Sequence, residues 1–306
     1  MLIVRTSVFC FLQGGEGVSL FISNRQYRKD THEESAYVPS LFESSTVRVQ
    51  HRIFRREHEL GHVLLDSFEV QNHTNESMSY PLTPDGCTML VFFLGRTEAQ
   101  GYFRGVAATI EHLTIPPHSA AFCLRLRPGS ATAIAPAPVS DIADRLTPLD
   151  TFFRGVSELL TQLRHGESFH ERNVLLQRYL TAREVGAFVP MALVSRCVEE
   201  IEKNQGNLRI QELAKTVGCS ERYLNRVFQS HAGLSPKLFC ELVQLHFCTR
   251  YIATEQPKSL LDAAVDYGYF DQAHMNRAFR KFLNCTARDV RLYGRKRTAG
   301  SAHNTE

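Results

Sequence analysis

The sequence HELGH at residues 58–62 has the spacing of a zinc protease helix, in which two histidines hold the metal and the glutamate activates a bound water. Such a site needs both histidines on one face of a rigid apolar helix, together with a third ligand. The preceding residues FRRE are charged, however, and the following residues VLLDSFEV favour a strand. The nearest candidates for a third ligand, His73 and Glu76, lie in a predicted loop. We therefore predict that His58 and His62 are surface or strand-edge residues, and a zinc metallohydrolase is kept as the alternative that metal analysis would reveal.

Other enzyme signatures are missing from the sequence. It contains no GxxxxGK[ST] phosphate loop, no GxGxxG turn after a strand and no GxSxG nucleophile elbow. The sequence therefore predicts no catalytic residues, no bound metal and no cofactor.

The length and composition are those of a two-domain globular protein. A chain of 306 residues with 43% hydrophobic residues can bury two cores. No apolar run reaches the roughly 18 residues that a membrane helix needs, and the apolar start MLIVRTSVFCFLQ contains Arg5 and no cleavage site of small residues. The eight cysteines form no CxxC pair, which favours buried, reduced thiols. We expect a cytoplasmic protein without a membrane partner.

The residue pattern divides the chain into four segments. Short apolar runs such as TMLVFFLG, separated by turn formers such as YPLTPDG at residues 80–86 and IPPHS, predict a β-rich unit, and helical spacing follows from LDTFFRGVSELLTQLRHG onward. Residues 191–306 hold 17 Lys and Arg against 12 Asp and Glu, whereas residues 1–190 hold 18 against 20, so the basic end is expected to meet a polyanion. The predicted segments are an unassigned N-terminal stretch (1–60), a β-rich sensor domain that ends in helices (61–188), an all-α domain (189–292) and a basic disordered tail (293–306).

An internal repeat lies in the predicted all-α domain. IQELAKTVG at residues 210–218 matches LLDAAVDYG at residues 260–268, with apolar residues at i, i+3, i+4 and i+7 of a short helix and a glycine that permits a left-handed turn. A second helix is predicted after each glycine, containing LNRVF in the first unit and MNRAF in the second, with Ser220 and Asp271 as N-caps. Each unit is therefore predicted to be a helix, a glycine turn and a second helix.

The second helix of each unit carries its polar residues on one face. Leu224, Val227 and Phe228 form the apolar stripe in the first unit, and Met275 and Phe279 belong to the stripe in the second. Arg, Asn and Gln can make bidentate hydrogen bonds to base edges in the major groove of DNA. For one helix, a bundle with a solvated polar face is the alternative, but two matched copies favour DNA recognition. The outward-facing candidates are Arg222, Asn225, Arg226 and Gln229 in the first unit and Gln272, Ala273, Asn276, Arg277 and Arg280 in the second.

One longer helix is predicted between the two units, over SPKLFCELVQLHFCTRYIAT at residues 235–254, with Pro236 at its start. About 18 residues at roughly 1.5 Å each make a rod of about 27 Å. This length is comparable to one turn of DNA, about 34 Å. The sequence therefore predicts two recognition helices that read successive major-groove segments from one side.

The all-α domain resembles a known family. Residues 193–292 resemble the two-part helix-turn-helix domain of AraC/XylS transcriptional regulators, most clearly over AAVDYGYFDQAHMNRAFRKFLNCTARDVR at residues 263–291. Asn284, Ala287 and Val290 stand where that family usually has glycine, proline and tyrosine, and asparagine tolerates the left-handed conformation of the turn. By this resemblance the base-facing positions are Arg222, Asn225 and Arg226 in the first unit and Gln272, Ala273, Asn276 and Arg277 in the second.

The N-terminal half resembles the β-rich sensor domains of such regulators, which are cupin-like or jelly-roll-like. The similar stretches are YPLTPDGCTMLVFFL at residues 80–94 and LRLRPGSA at residues 124–131. In that family these domains bind an effector or mediate dimerisation. Asp85, Arg125 and Arg127 are candidates for a polar effector site, and salt bridges at strand ends are the alternative.

The predicted fold is α+β in two domains, a β-rich sensor domain followed by an all-α domain with two helix-turn-helix units. The predicted function is sequence-specific regulation of transcription under the control of an effector. The resemblance implies a bacterial protein, double-stranded DNA as partner, a small molecule or a protein as effector, a homodimer as one arrangement, and RNA polymerase as a partner if the regulator is an activator. An adaptor that keeps the fold without binding DNA is a further alternative.

Overall fold

The structure is a computed structural model that describes residues 19–21, 41–43, 48–134, 139, 145–185, 192–255 and 257–292. The predicted boundary between the domains at residues 188 and 189, the predicted basic tail and most of the unassigned N-terminal segment lie outside these residues.

Strands form the first half of the described chain and helices the second, which confirms the predicted fold class and the order of its two domains. The strands are β1 (Ser19–Phe21), β2 (Leu41–Glu43), β3 (Arg48–Ile53), β4 (Leu64–Asn72), β5 (Met78–Leu82), β6 (Thr88–Leu94), β7 (Ala99–Arg104), β8 (Glu111–Ile115), β9 (Ser119–Leu126) and β10 (Leu146–Pro148). The helices are α1 (Val156–His165), α2 (Phe169–Thr181), α3 (Ala192–Lys203), α4 (Ile210–Val217), α5 (Glu221–Ala232), α6 (Pro236–Thr254), α7 (Leu260–Asp266) and α8 (Gln272–Leu283), and residues 287–292 are also helical.

Six strands form one antiparallel sheet in the order β10-β7-β6-β9-β4-β3, while β1 pairs with β2 and β5 pairs with β8. Strand β3 lies upstream of residue 61, so the sheet begins inside the segment that the sequence left unassigned. Strand β5 contains Pro81, which the sequence pattern assigned to a turn. Proline fits there because β5 pairs with β8 alone among the described strands, so no central ladder is interrupted.

Both faces of the six-stranded sheet are buried. In β6, Leu90 and Phe92 point to one face and Met89 and Val91 to the other, because successive side chains alternate. Leu90 and Phe92 share a core with the helical hairpin α1–α2, including Leu163 of α1. This double burial explains why β6 is a nearly continuous apolar run and why every residue of β9 is buried.

The opposite face of the sheet shares one core with the C-terminal helices. Met89 belongs to the same buried cluster as Leu245 of α6 and Phe279 of α8. A main-chain hydrogen bond also joins the two domains, since the N–H of Ile110 donates to the carbonyl oxygen of Phe282 at 3.1 Å. The second helix-turn-helix unit therefore shares its core with the six-stranded sheet.

Two glycines of the β-rich domain touch the helical domain. A Cβ at Gly86 would lie 2.5 Å from the ring of Phe239 in α6, and a Cβ at Gly129 would lie 2.6 Å from Val194 in α3. Both glycines have positive φ angles, of 72° and 85°. Close approach and backbone conformation together require glycine at these two contact points.

The first helix-turn-helix unit has a core of its own, formed by α3, α4, α5 and the first part of α6 around Leu213, Phe228 and Phe239. Helix α6 begins at Pro236, as predicted, and Ser235 caps it by accepting a hydrogen bond from the N–H of Leu238 at 3.2 Å. It runs for 19 residues. At roughly 1.5 Å per residue it is about 28 Å long.

The described cysteines agree with the prediction of reduced thiols. All seven are free, and six of them are buried. Among the helices that the structure describes, none combines the length and apolar character needed to cross a membrane.

Candidate nucleic-acid interface

Helices α4 and α5 form the first helix-turn-helix unit. Helix α4 ends at Gly218, whose φ of 75° is left-handed, and no atom lies within 4 Å of the place that a Cβ would occupy. Conformation rather than space therefore requires glycine at this turn. The Ser220 side chain accepts a hydrogen bond from the N–H of Tyr223 at 3.3 Å, which confirms the predicted N-cap of α5.

The outward face of α5 carries the predicted polar residues. Arg222, Arg226 and Gln229 are exposed, whereas Asn225 is half-buried. The Nδ2 of Asn225 donates to the carbonyl oxygen of Glu221 on the same helix at 2.8 Å. Three of the four predicted side chains thus face solvent, and the fourth is partly engaged by its own helix.

Helices α7 and α8 form the second unit with the same construction. Gly268 has a φ of 74° in the turn, and the Oδ1 of Asp271 accepts from the N–H of His274 at 2.6 Å at the start of α8. Asn284 ends α8 in the left-handed conformation, with φ 54° and ψ 23°. The predicted glycine, cap and asparagine turn are therefore all present.

The outward face of α8 is exposed at the predicted positions Gln272, Ala273, Arg277 and Arg280. Asn276 differs, because it is half-buried and its Oδ1 accepts a hydrogen bond from the N–H of Ala287 at 3.1 Å. This bond ties α8 to the helical segment that follows. Asn276 is thus engaged inside the domain.

Two exposed aromatic residues were missed by the sequence reasoning. Phe270 is 90% exposed directly before the cap Asp271, and its N–H is held by the Nδ1 of His274 at 3.3 Å. Tyr223 is 40% exposed in the first turn of α5, with the guanidinium of Arg226 at 5.3 Å from its ring centre. Both lie at the N-terminal end of a second helix, where a helix-turn-helix contacts bases. An aromatic residue within three positions of a predicted cap is the signal that would have found them.

Comparison with known proteins agrees with this geometry. The family model described as "Helix-turn-helix domain" matches residues 213–292, which include α5 and α8. A Haemophilus influenzae protein described as an uncharacterized HTH-type transcriptional regulator is 23% identical over 120 residues, which cover 39% of this chain and 40% of that protein. The probable transcription factor PqrA of Proteus vulgaris is 28% identical over 95 residues, which cover 31% of this chain and 76% of that protein.

The C-terminal part of the chain is an AraC-type helix-turn-helix domain. A solved AraC-type regulator from Chromobacterium violaceum matches 33% of this chain and 91% of its own, with 23% identity and a TM-score of 0.32. ToxT from Vibrio cholerae matches 81% of this chain and 99% of its own, with 8% identity and a TM-score of 0.37. Upstream of the AraC-type domain, residues 60–148 match a model described as "Domain of unknown function (DUF6597)". The aligned region spans less than half the length of the Haemophilus relative.

Two of the three predicted effector residues, Arg125 and Asp85, belong to a buried ion-pair network. The Nε of Arg125 donates to Asp66 at 2.7 Å, its Nη2 also binds Asp66, and its Nη1 donates to Asp85 at 3.2 Å. Burial alone would raise the pKa of Asp66, but Arg125 and the hydrogen bond from His51 outweigh burial and hold that pKa well below its usual range. At Asp85 burial outweighs Arg125, so its pKa is raised. Both predicted residues are therefore held in salt bridges.

The third predicted effector residue, Arg127, faces the AraC-type domain. Its guanidinium binds main-chain carbonyl oxygens, including that of Gly61 at 2.6 Å. It borders a small cavity of about 40 Å³ together with Glu202 of α3. Burial raises the pKa of Glu202 to about 7, although Arg127 and Arg56 oppose the shift. Beside this cavity, Arg56 forms an ion pair with Glu199 of α3 at 3.2 Å.

The HELGH segment at residues 58–62 lies in turns, so its histidines do not share a helical face. The Nδ1 of His58 accepts from the N–H of Leu60 at 3.1 Å, and a Cβ at Gly61 would lie 1.8 Å from the carbonyl oxygen of Arg55. In the described part of the chain no three His, Cys, Asp or Glu residues form a group that could hold a metal ion. The segment lies at the contact between the two domains, because His62 lines the same small cavity as Glu202 of α3.

Proposed function

We propose that this protein is a sequence-specific DNA-binding regulator of bacterial transcription. The observation that carries the proposal is the pair of capped helices α5 and α8, each of which exposes arginine and glutamine on its outward face. These side chains recognise base edges in the major groove. Helix α6 separates the two units by a length close to one DNA turn, which suits recognition of two successive groove segments.

Roles follow from exposure and from place in the repeat. Arg226 and Arg277 occupy matched, exposed positions, and we assign both to base edges. Asn225 and Asn276 act mainly in positioning, because main-chain groups already engage their amides. We call the outward surfaces of α5 and α8 together the reading face. Its remaining members are Arg222, Gln229, Gln272, Ala273 and Arg280.

The test is selection of bound fragments from a random DNA pool with the full chain, followed by titration of the selected operator. Arg226→Ala and Arg277→Ala are each expected to cost about 1–3 kcal/mol, or roughly fivefold to 150-fold in affinity, and to relax base preference at separate parts of the site. Arg178→Ala is the matched control, since Arg178 is exposed on α2 outside the AraC-type domain. Unchanged operator affinity in both test variants, with wild-type circular dichroism, contradicts the two-helix proposal.

Control by an effector belongs to the same proposal. We infer that the N-terminal domain binds an effector and passes the signal through its contacts with the AraC-type domain, such as the Ile110–Phe282 hydrogen bond. We expect the protein to act in the cytoplasm, where its DNA is. Its further partners in this proposal are a second copy of the chain, in a homodimer, and RNA polymerase if it is an activator. Sedimentation with and without operator DNA tests the dimer. The adaptor alternative is favoured if the folded chain shows no salt-dependent DNA binding at all.

A further inference from the structure

A second cleft lies at the end of the sensor sheet away from the segments discussed above. It forms where β4 and β6 end, β9 begins, and the α1–α2 hairpin crosses the sheet. Its volume is about 290 Å³. That volume stands at the lower end of the range for small-molecule sites, roughly 300–1,000 Å³, and suits a small metabolite.

The lining of this cleft is strongly cationic. Arg96 follows β6, Arg164 lies in the last turn of α1 and Arg172 lies on α2, and none of the described residues that line the cleft carries a carboxylate. Arg172 pairs with Glu69 of β4, whose Oε2 accepts from the Nη1 of Arg172 at 2.8 Å. One of three positive charges is thereby neutralised, and two remain for a ligand.

The arginines of the hairpin are held in place before any ligand arrives. Besides its bond to Glu69, Arg172 donates from Nη2 to the carbonyl oxygen of Gly166 at 2.7 Å and from Nε to that of Leu163 at 3.1 Å. Arg164 donates from Nη1 to the carbonyl oxygen of Arg96 at 2.9 Å. Fixed side chains lose little conformational entropy on binding, which favours affinity.

Arg96 completes the cleft from the sheet side. Its side chain is exposed, and its guanidinium makes no hydrogen bond to the described residues. The five N–H donors of a guanidinium form a planar fork that matches a carboxylate or a phosphate. Arg96 is therefore the group with the most donors to offer a ligand that enters between the sheet and the hairpin.

We propose that this cleft binds a small oxyanion carrying about two negative charges and is the effector site of the regulator. A phosphate monoester and a dicarboxylate share this chemistry. The effector role rests on the proposed function, whereas the binding site does not. A ligand here joins the end of β6 to the hairpin, and α2 of the hairpin runs to Thr181, shortly before α3 opens the helical domain at Ala192.

The experiment measures binding to the full chain by calorimetry, at constant ionic strength set with chloride. The probes are inorganic phosphate, glycerol phosphate and succinate, with acetate as the singly charged control. At least one doubly charged probe is expected to bind more tightly than acetate, and the preferred probe identifies which source of the oxyanion fits. Arg96→Gln is expected to weaken that binding about tenfold to hundredfold, through loss of a charge-assisted contact. Arg178→Gln, a substitution of the same kind on the exposed side of α2, is expected to leave it unchanged.

Two results overturn the site: no doubly charged probe binds better than acetate, or Arg96→Gln binds as tightly as Arg178→Gln. The effector role is tested separately by titrating operator DNA with and without the bound probe. A probe that binds through Arg96 but leaves DNA affinity unchanged refutes the effector role and keeps the site. Failure of the chain to bind any DNA refutes the proposed function, while the binding data on Arg96→Gln still decide the site.

Discussion

Replacing Arg125 by leucine removes the guanidinium that pairs with two buried carboxylates, Asp66 and Asp85. Asp66 is fully buried and Asp85 is 4% exposed, so neither gains full hydration when the guanidinium is lost. Breaking a buried ion pair from one side costs about 3–5 kcal/mol, a large part of a typical domain stability of roughly 5–15 kcal/mol. We expect Arg125→Leu to be destabilised by that amount at pH 7.5.

The same ion pairs determine how the stability difference between the wild type and Arg125→Leu depends on pH. In the wild type the pKa of Asp66 is depressed, so its contribution to stability is present above the unfolded value of about 4 and is lost as the pH falls through the lower folded-state pKa. In the variant, burial without Arg125 raises the pKa instead. The deficit of the variant is therefore expected to shrink as the pH falls from 7.5 toward 4.5.

Urea unfolding followed by circular dichroism is the appropriate assay, because the chain contains no tryptophan. Combining Arg125→Leu with Asp66→Asn and Asp85→Asn removes the uncompensated charges and is expected to recover most of the loss. Arg178→Leu, at an exposed position, serves as control and is expected to change stability by less than about 0.5 kcal/mol. A cost below about 1 kcal/mol for Arg125→Leu that does not vary with pH would refute the reasoning.

Three further predictions concern the domain contact and the reading face. Glu202→Gln is expected to raise stability at pH 8 by about 2 kcal/mol, allowing for solvent screening, and by much less at pH 5. The gain is larger at pH 8 because the folded-state pKa of Glu202, about 7, lies above its unfolded value. The wild type is therefore most stable below the unfolded pKa and loses stability as the pH rises through 7. Equal gains at both pH values in urea titrations would count against this prediction. Phe270→Ser is expected to leave the melting temperature unchanged, since the side chain is 90% exposed, and to reduce operator affinity severalfold in a binding titration. Wild-type affinity would remove Phe270 from the interface. Gly61→Ala is expected to destabilise the protein by about 1–3 kcal/mol because its Cβ would meet a carbonyl oxygen, whereas Glu59→Ala at an exposed position is expected to be neutral. A zinc protease would require Glu59 for its activity, so a peptidase activity lost in Glu59→Ala would contradict this interpretation.

The helical domain was the more predictable part because its signals are local. Each signal there acts within a few residues: the glycine turn, the cap that binds an N–H three residues later, and the apolar spacing along one helix. Gly218, Ser220 and Asp271 could therefore be assigned from the sequence. The repeat doubled each signal. Asn284 was assigned to a left-handed turn through the family resemblance, because asparagine tolerates the conformation of the glycine that it replaces.

The β-rich domain was less predictable because its decisive contacts join residues that are distant in sequence. Strand β3 has no clear alternation of its own and is specified by pairing with β4. Pro81 was assigned to a turn because proline is excluded from central strands. The sequence does not reveal that the strand containing Pro81 pairs with β8 alone among the described strands. For the same reason Asp66 could not be recognised as the partner of Arg125, which lies 59 residues downstream. The hydrogen bond between Asn276 and the N–H of Ala287 likewise depends on where the chain lies after Asn284.

The core shared by the sheet and the second helix-turn-helix unit restricts how such a protein can evolve by recombination. A DNA-binding module with a fully solvated surface can be exchanged between relatives as an intact piece. Here Met89 of the sheet and Phe279 of α8 fill one interior, and Ile110 depends on a carbonyl oxygen of Phe282. A transplanted module would leave one apolar face exposed unless the new host sheet matched it in shape. The two domains are therefore expected to be inherited together, with compensating changes on both sides of their shared interior.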